Sequence, residues 1–241
     1  MKSIKLSIVA ALLATTSVVS NVSADEIEVS ANVALTSNYV WRGMSQTGDS
    51  PAIQGGVDLG YKGAYIGVWG SSLQGSSNTT GQASSEFDIY IGYANEISGF
   101  SYDIGFIEYM YPNDTDNLNF GEAYLSLGYD FGVASVSAMY ALGVDTHDVS
   151  GQTSDYEPGD AWELGLSVPL PGEVTLDGTY GEYDDAQSSN SNVNGFGEYY
   201  SVGLSKSFGK FDYSIAYTGM DYEAAATKDV DSIVFTVGTS F

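Results

Sequence analysis

After its first two dozen residues the chain alternates apolar and polar side chains almost without interruption. A period of two, in place of the 3.6 of a helix, restricts the fold to strands whose two faces meet unlike surroundings. Over residues 27–41 the odd positions read Ile27, Val29, Ala31, Val33, Leu35, Ser37, Tyr39 and Trp41. The even ones include Glu28, Ser30, Asn32, Thr36, Asn38 and Arg42. Ile53, Val57, Leu59 and Tyr61 oppose Gln54, Gly56 and Asp58, and Lys62-Gly63 then makes a tight reversal into Ala64, Ile66 and Val68. Phe87, Ile89, Ile91 and Tyr93 oppose Glu86, Asp88 and Tyr90, and the pattern continues to Ile233, Phe235, Val237, Thr239 and Phe241. About a dozen such strands are expected, each near the 9 to 11 residues that a tilted membrane-crossing strand needs.

The connections alternate too. Short turns are expected at residues 61–64, 94–99, 130–132, 168–172 and 207–210, and long polar loops at 44–50, 74–85, 112–119, 142–160, 183–197 and 221–231. Short and long links in strict alternation describe an all-β, antiparallel up-and-down transmembrane β-barrel with short periplasmic turns and long extracellular loops. Aromatics gather near the expected strand ends, as two interfacial girdles would require. Tyr39, Trp41, Trp69, Tyr109 and Tyr111 are assigned to the loop side, and Tyr61, Tyr93, Phe100, Tyr129, Phe131, Phe208 and Phe211 to the turn side. The competing fold is a secreted β-sandwich, whose strands also alternate. Its strands are usually 5 to 6 residues long, and the polar half here is too acidic to form a dry core, because buried unpaired carboxylates are costly.

The N-terminus fixes the expected compartment. Lys2 and Lys5 precede an apolar stretch at residues 6–19, and Val22-Ser23-Ala24 offers small residues for cleavage, the pattern of a secretory signal peptide over residues 1–24. The apolar stretch is shorter than the roughly 20 residues of a spanning helix. Residues 25–241 are then a single barrel domain, with five basic against 31 acidic residues and a net charge of −26. Such a surface repels polyanions, so nucleic acid is a poor partner. With no Cys, disulfides, thiolate metal sites and cysteine nucleophiles are excluded. The 29 Gly and 32 aromatics set the chain apart from a disordered acidic polypeptide.

The run Ser37-Asn38-Tyr39-Val40-Trp41-Arg42-Gly43-Met44-Ser45-Gln46, then Pro51-Ala52-Ile53-Gln54-Gly55-Gly56 and Ala64-Tyr65-Ile66-Gly67-Val68-Trp69-Gly70-Ser71, resembles the Gcw_chp family of proteobacterial outer-membrane porin-like proteins, also called TorF-type. Glu86-Phe87-Asp88-Ile89-Tyr90 and residues 105–112 are similar as well. The resemblance implies a channel-like barrel in the bacterial outer membrane, with the Arg42-Gly43 pair as a family hallmark. It carries over no functional residues.

If the apolar half meets lipid, the inward half holds the pore-lining candidates Arg42, Asp58, Glu86, Asp88, Asp103, Glu122, Glu163, Asp177 and Asp212. Strand direction sorts Arg42, Glu86, Asp88, Glu122 and Glu163 toward the outer mouth and Asp58, Asp103, Asp177 and Asp212 toward the periplasm. Carboxylate rings favour cations and repel anions. The plainer alternative is that these acids pair with Arg42 or a Lys, or accept hydrogen bonds from Tyr65, Tyr90 and Tyr124, and so stiffen a small barrel. A dozen strands lie between the eight that leave room only for side chains and the 16 to 18 of an aqueous channel, so a narrow passage is expected.

The function expected is passive passage of small neutral or cationic solutes, with no catalytic, cofactor or metal site. The alternatives are a structural or adhesive barrel with a plugged lumen and, more remotely, a lipid-active enzyme built on His147. No Gly-x-Ser-x-Gly elbow accompanies that lone histidine. Loop acids at Asp114, Asp116, Asp145, Asp148, Asp155, Glu157, Asp160, Asp184, Asp185, Asp221 and Glu223 lack the spacing of a calcium loop and read as solvated charge. The partners expected are outer-membrane lipid, small solutes or cations, and the barrel-assembly machinery, recognised through the C-terminal strand ending at Phe241.

Overall fold

The computed structural model describes residues 27–74, 83–112, 119–144, 158–184, 197–222 and 230–241. Twelve antiparallel strands close into a barrel: β1 (Glu28–Thr36), β4 (Ala52–Tyr61), β5 (Ala64–Ser72), β6 (Ser85–Ile97), β7 (Phe100–Met110), β8 (Phe120–Asp130), β9 (Ser135–Val144), β10 (Ala161–Leu170), β11 (Val174–Tyr183), β12 (Gly197–Phe208), β13 (Phe211–Tyr222) and β14 (Val230–Ser240). Each pairs with its sequence neighbour, and β1 closes on β14 from Asn32↔Ser240 to Thr36↔Thr236. Phe241 completes the seam by exchanging backbone hydrogen bonds with Ala31 at 2.8 and 3.2 Å. Closure leaves no sheet edge, the condition for strands to cross hydrocarbon.

Alternation sets which side chains point out. Ile66, Ile89, Ile91, Ile104, Leu125, Leu164, Val202 and Phe235 stand exposed on the outer wall, where a soluble protein would carry polar groups. Ala52, Tyr65, Tyr90, Ile107, Tyr124 and Tyr199 are buried inside. The five short links fall where the sequence places them, with β6 running three residues further, to Ile97, before the Ser98-Gly99 turn.

The inward tyrosines lie over glycines. Tyr90 pairs directly with Gly67, Tyr65 with Gly92, Tyr124 with Gly105 and Tyr199 with Gly181. In all four pairs a Cβ on the glycine would collide with the tyrosine ring or its hydroxyl. Each bare backbone thus gives a ring a place to lie against the wall, so these four glycines serve aromatic packing.

Two features depart from the sequence reading. The first strand ends at Thr36, short of Trp41, and the chain then turns into the lumen, burying residues 38–43, while Ser45, Gly48, Asp49 and Pro51 of the expected loop stay exposed. The in-turned segment carries a two-residue-strand hairpin, β2 (Val40–Trp41) and β3 (Met44–Ser45). The second concerns the loop-side girdle. Tyr39, Trp41, Trp69 and Tyr109 are buried inside the barrel, and Tyr111 packs against the same cluster. The outward aromatics near the long-loop end are Phe87, Tyr140, Trp162, Tyr180, Tyr200 and Tyr217. The turn-side set, Tyr61, Tyr93, Phe100, Tyr129, Phe131, Phe208 and Phe211, is exposed as expected.

Candidate functional site: an arginine hairpin inside the barrel

The in-turned segment is held by its own polar side chains. Asn38 is the hub: its amide donates to Asp49 Oδ1 at 2.7 Å, and its carbonyl oxygen accepts from Ser45 Oγ at 2.6 Å and Thr47 Oγ1 at 2.9 Å. The Tyr39 backbone amide donates to Thr47 Oγ1 at 3.0 Å, and Thr36 Oγ1 donates to the Asn38 backbone carbonyl at 2.9 Å. Buried backbone inside a barrel must find partners, and these short polar residues supply them.

The hairpin tip is Arg42-Gly43, with φ of +45° and +78°, the two positive values of a type I′ turn. A Cβ at Gly43 would sit 2.7 Å from the Gly219 carbonyl carbon and 2.9 Å from Met220 Cβ, so only glycine lets the tip press against β13. On the other sides Tyr39 meets Trp69 of β5 edge-on at 5.5 Å and donates to Glu86 of β6 at 2.8 Å. Trp41 lies against Tyr109, Phe120 and Tyr183, of β7, β8 and β11, at 6.0, 6.1 and 5.1 Å. A hairpin touching β5, β6, β7, β8, β11 and β13 spans the lumen.

Arg42 is wholly buried. Its Nη1 and Nη2 donate to the two oxygens of Glu122 at 2.6 and 2.9 Å, a bidentate pair. Its guanidinium carbon lies 4.4 Å from the Trp41 ring centroid and 4.7 Å from that of Tyr183, contacts worth about 2 kcal/mol or more where water is excluded. Tyr109 adds a third donor to Glu122 at 3.1 Å. Among the described residues Arg42 Nε and Asp88 Oδ1 find no hydrogen-bond partner, and Asp88 is 1% exposed. Among the described residues Arg42 is the one basic side chain on the inward side. Lys62 and Lys210 lie in turns, and Lys206 points out and donates to the Gly172 carbonyl.

The other candidate residues fall at two levels. Glu86, Asp88 and Glu122 surround the hairpin, and Glu163 faces Arg42 and Tyr199. Further down, Tyr90 donates to Asp58, Tyr65 donates to Asp103 at 2.7 Å, and Tyr65 and Tyr124 share a hydrogen bond. Asp177 accepts from Ser167 and Ser205 at 2.8 and 3.0 Å, while Asp212 is exposed at the short-turn mouth and accepts from Ser207. Below the hairpin a cavity of about 160 Å³ runs toward the short turns, lined by Ser101, Ser126, Ser137, Glu163, Ser167 and Asp177 among others. One wall of the lumen is therefore rich in tyrosine and carboxylate, and the other is rich in serine with Glu163 and Asp177 among the hydroxyls.

Asp160 accepts from Tyr140 and from the Gly143 amide at 2.9 and 3.1 Å. His147 and the loop acids Asp114, Asp116, Asp145, Asp148, Asp155, Glu157, Asp185 and Glu223 lie outside the described residues, as do residues 1–24. Among the described residues no three His, Cys, Asp or Glu side chains are grouped to hold a metal ion. The sequence carried one overlooked signal for the hairpin. Alternation fails at Tyr39-Val40-Trp41, three apolar residues in a row, followed by the same X-Gly pair that makes the turns at Lys62-Gly63 and Ser98-Gly99.

Among solved structures the barrel is similar to a KdgM porin, with a TM-score of 0.55 and 12% identity over 88% of this chain and 98% of the porin. A KdgM porin in complex with disordered oligogalacturonate matches at a TM-score of 0.53 and 11% identity, over 88% of this chain and 97% of that one. At these identities the likeness establishes a shared fold, that of an outer-membrane porin barrel. No curated protein matches the sequence. The model of a family described as a bacterial protein of unknown function, Gcw_chp, matches residues 21–241, and the chain belongs to that family.

Proposed function

We propose that this protein is a passive outer-membrane channel for small neutral or cationic solutes, working through the width and charge of a narrow acidic lumen. One observation carries the reading. Asp58, Glu86, Asp88, Asp103, Glu122, Glu163 and Asp177 sit on inward positions of a closed twelve-strand barrel, and Arg42, the one inward cation among the described residues, is already paired with Glu122. A low-dielectric wall focuses such a field on whatever enters. The KdgM porin of similar fold was captured with oligogalacturonate, a polyanion. A lumen lined by carboxylates would repel such a ligand. The closed, porin-like barrel calls for a channel rather than an enzyme.

The test is conductance of the purified protein in planar bilayers under a salt gradient. A cation-selective reversal potential is expected, and Glu86→Gln with Asp88→Asn should move it toward zero. An unchanged potential would remove those two residues from the mechanism. A plugged structural barrel is the second reading, favoured by the hairpin packed across the lumen. A correctly folded barrel that never conducts would select it.

A further inference from the structure

The hairpin and the wall contribute unequally to the buried ion pair. Arg42 and one ring, Trp41, come from the in-turned segment. Glu122, the Tyr109 hydroxyl that orients it, and the Tyr183 ring come from β8, β7 and β11. The wall thus holds, by itself, a carboxylate with both oxygens presented edge-on and an aromatic face beside it. That is the complement of a planar guanidinium, which bonds carboxylates in pairs and stacks on rings, and a poorer match to a compact ammonium. The turn chemistry does not call for arginine at its first position. Lys62 and Ser98 occupy the equivalent place in the other X-Gly reversals, and glycine or asparagine is favoured there.

The surroundings point the same way. Among the described residues Glu86, Asp88 and Glu163 bring three further carboxylates to the neighbourhood of a single cation, and Asp88 Oδ1 is buried with no hydrogen-bond partner. Glu163 interacts with Arg42 and also lines the cavity leading toward the short turns, where Asp177 follows it. A cation leaving Glu122 would meet carboxylates and serine hydroxyls on that path.

We propose that Glu122, Tyr109 and Tyr183 form a receptor for small guanidinium-bearing solutes, and that Arg42 is the chain's own occupant of it. The inference rests on the channel reading above and names the class of solute the constriction recognises. A solute of this class competes with Arg42 for Glu122 and displaces the hairpin as it passes. A tethered occupant has a high effective concentration, so passage favours solutes that engage the lower acids as well.

The test is chemical replacement of the missing group. Arg42→Gly keeps a turn compatible with positive φ and removes the cation. The full-length variant, folded in detergent, is compared with the unaltered chain in ethylguanidinium, in ethylammonium and in the neutral isostere ethylurea. Ligand at ten times its Kd shifts the variant's folding equilibrium about eleven-fold. Ethylguanidinium is expected to raise the thermal midpoint of Arg42→Gly, ethylammonium less and ethylurea not at all. Arg42→Gly/Glu122→Gln should respond to none of them, and the unaltered chain should respond less than Arg42→Gly. If Arg42→Gly does not fold in buffer alone, the same compounds are present during refolding, and the yield of heat-modifiable barrel is read. Equal effects of ethylguanidinium and ethylurea in either format overturn the proposal. Bilayer recordings separate this failure from that of the channel reading. Cation-selective conductance without the guanidinium effect removes the receptor alone, whereas a guanidinium effect in a barrel that never conducts removes the channel.

Discussion

Glu122→Gln should release the hairpin without opening the barrel. The substitution keeps the shape of the side chain but leaves Arg42, which is wholly buried, without the carboxylate that holds both its Nη groups. Removing one partner of a buried pair costs about 3–5 kcal/mol, a factor of roughly 100 to 4,000 in an equilibrium constant. Glu163 also faces Arg42 and softens the loss, so the lower end, about 100-fold, is expected. The strand ladders do not depend on this pair, so the cost falls on the docked hairpin. Because the chain has no cysteine, Val40→Cys gives a single thiol at a buried position of β2. With opening fast relative to labelling, the labelling rate follows the open population. Maleimide should therefore modify Val40→Cys/Glu122→Gln about 100 times faster than Val40→Cys, with the heat-dependent gel mobility of the folded barrel retained. Rates within threefold of each other would refute the idea that the ion pair holds the hairpin in place.

Gly105→Ala would place a Cβ 2.6 Å from Tyr124 Cζ and 2.9 Å from the Ile91 carbonyl oxygen. Displacing the ring should cost about 1–3 kcal/mol, seen as a lower gel-shift midpoint temperature. Gly178→Ala, whose nearest neighbour is 3.8 Å away, should leave the midpoint unchanged. Ile91→Arg, on the outer wall midway along β6, should lower refolding stability in lipid by about 2–4 kcal/mol, and a neutral result would mean that this face does not meet hydrocarbon. Phe241→Ala removes an exposed terminal ring. It should reduce barrel assembly in cells while leaving refolding of purified protein into detergent unchanged, and equal assembly in cells would remove Phe241 as a recognition element.

The barrel was legible in the sequence because its cause is local and repeated. Each strand must present Ile, Leu, Val or an aromatic to lipid at every second position, and the five short turns and the C-terminal run to Phe241 repeat one rule. The lumen obeys a different constraint. Once inside, a side chain can meet any of twelve strands, so Tyr109 and Trp69, read as interfacial aromatics, instead close over a hairpin from a segment that reads as strand and loop. The acids at Glu86, Asp88 and Glu122 were identifiable as inward, but which of them would hold Arg42 depended on where residues 37–51 turned.

Period, turn spacing and charge thus determined by themselves that the chain closes an acidic barrel with an oily exterior, since those follow from pairing neighbouring strands across a membrane. That Arg42 lies against Glu122 and Tyr183, 80 and 141 positions further along, was decided only when the cylinder closed. Curvature brings remote strands to face one another across a few ångströms of interior, and no periodicity within a single strand encodes what stands opposite.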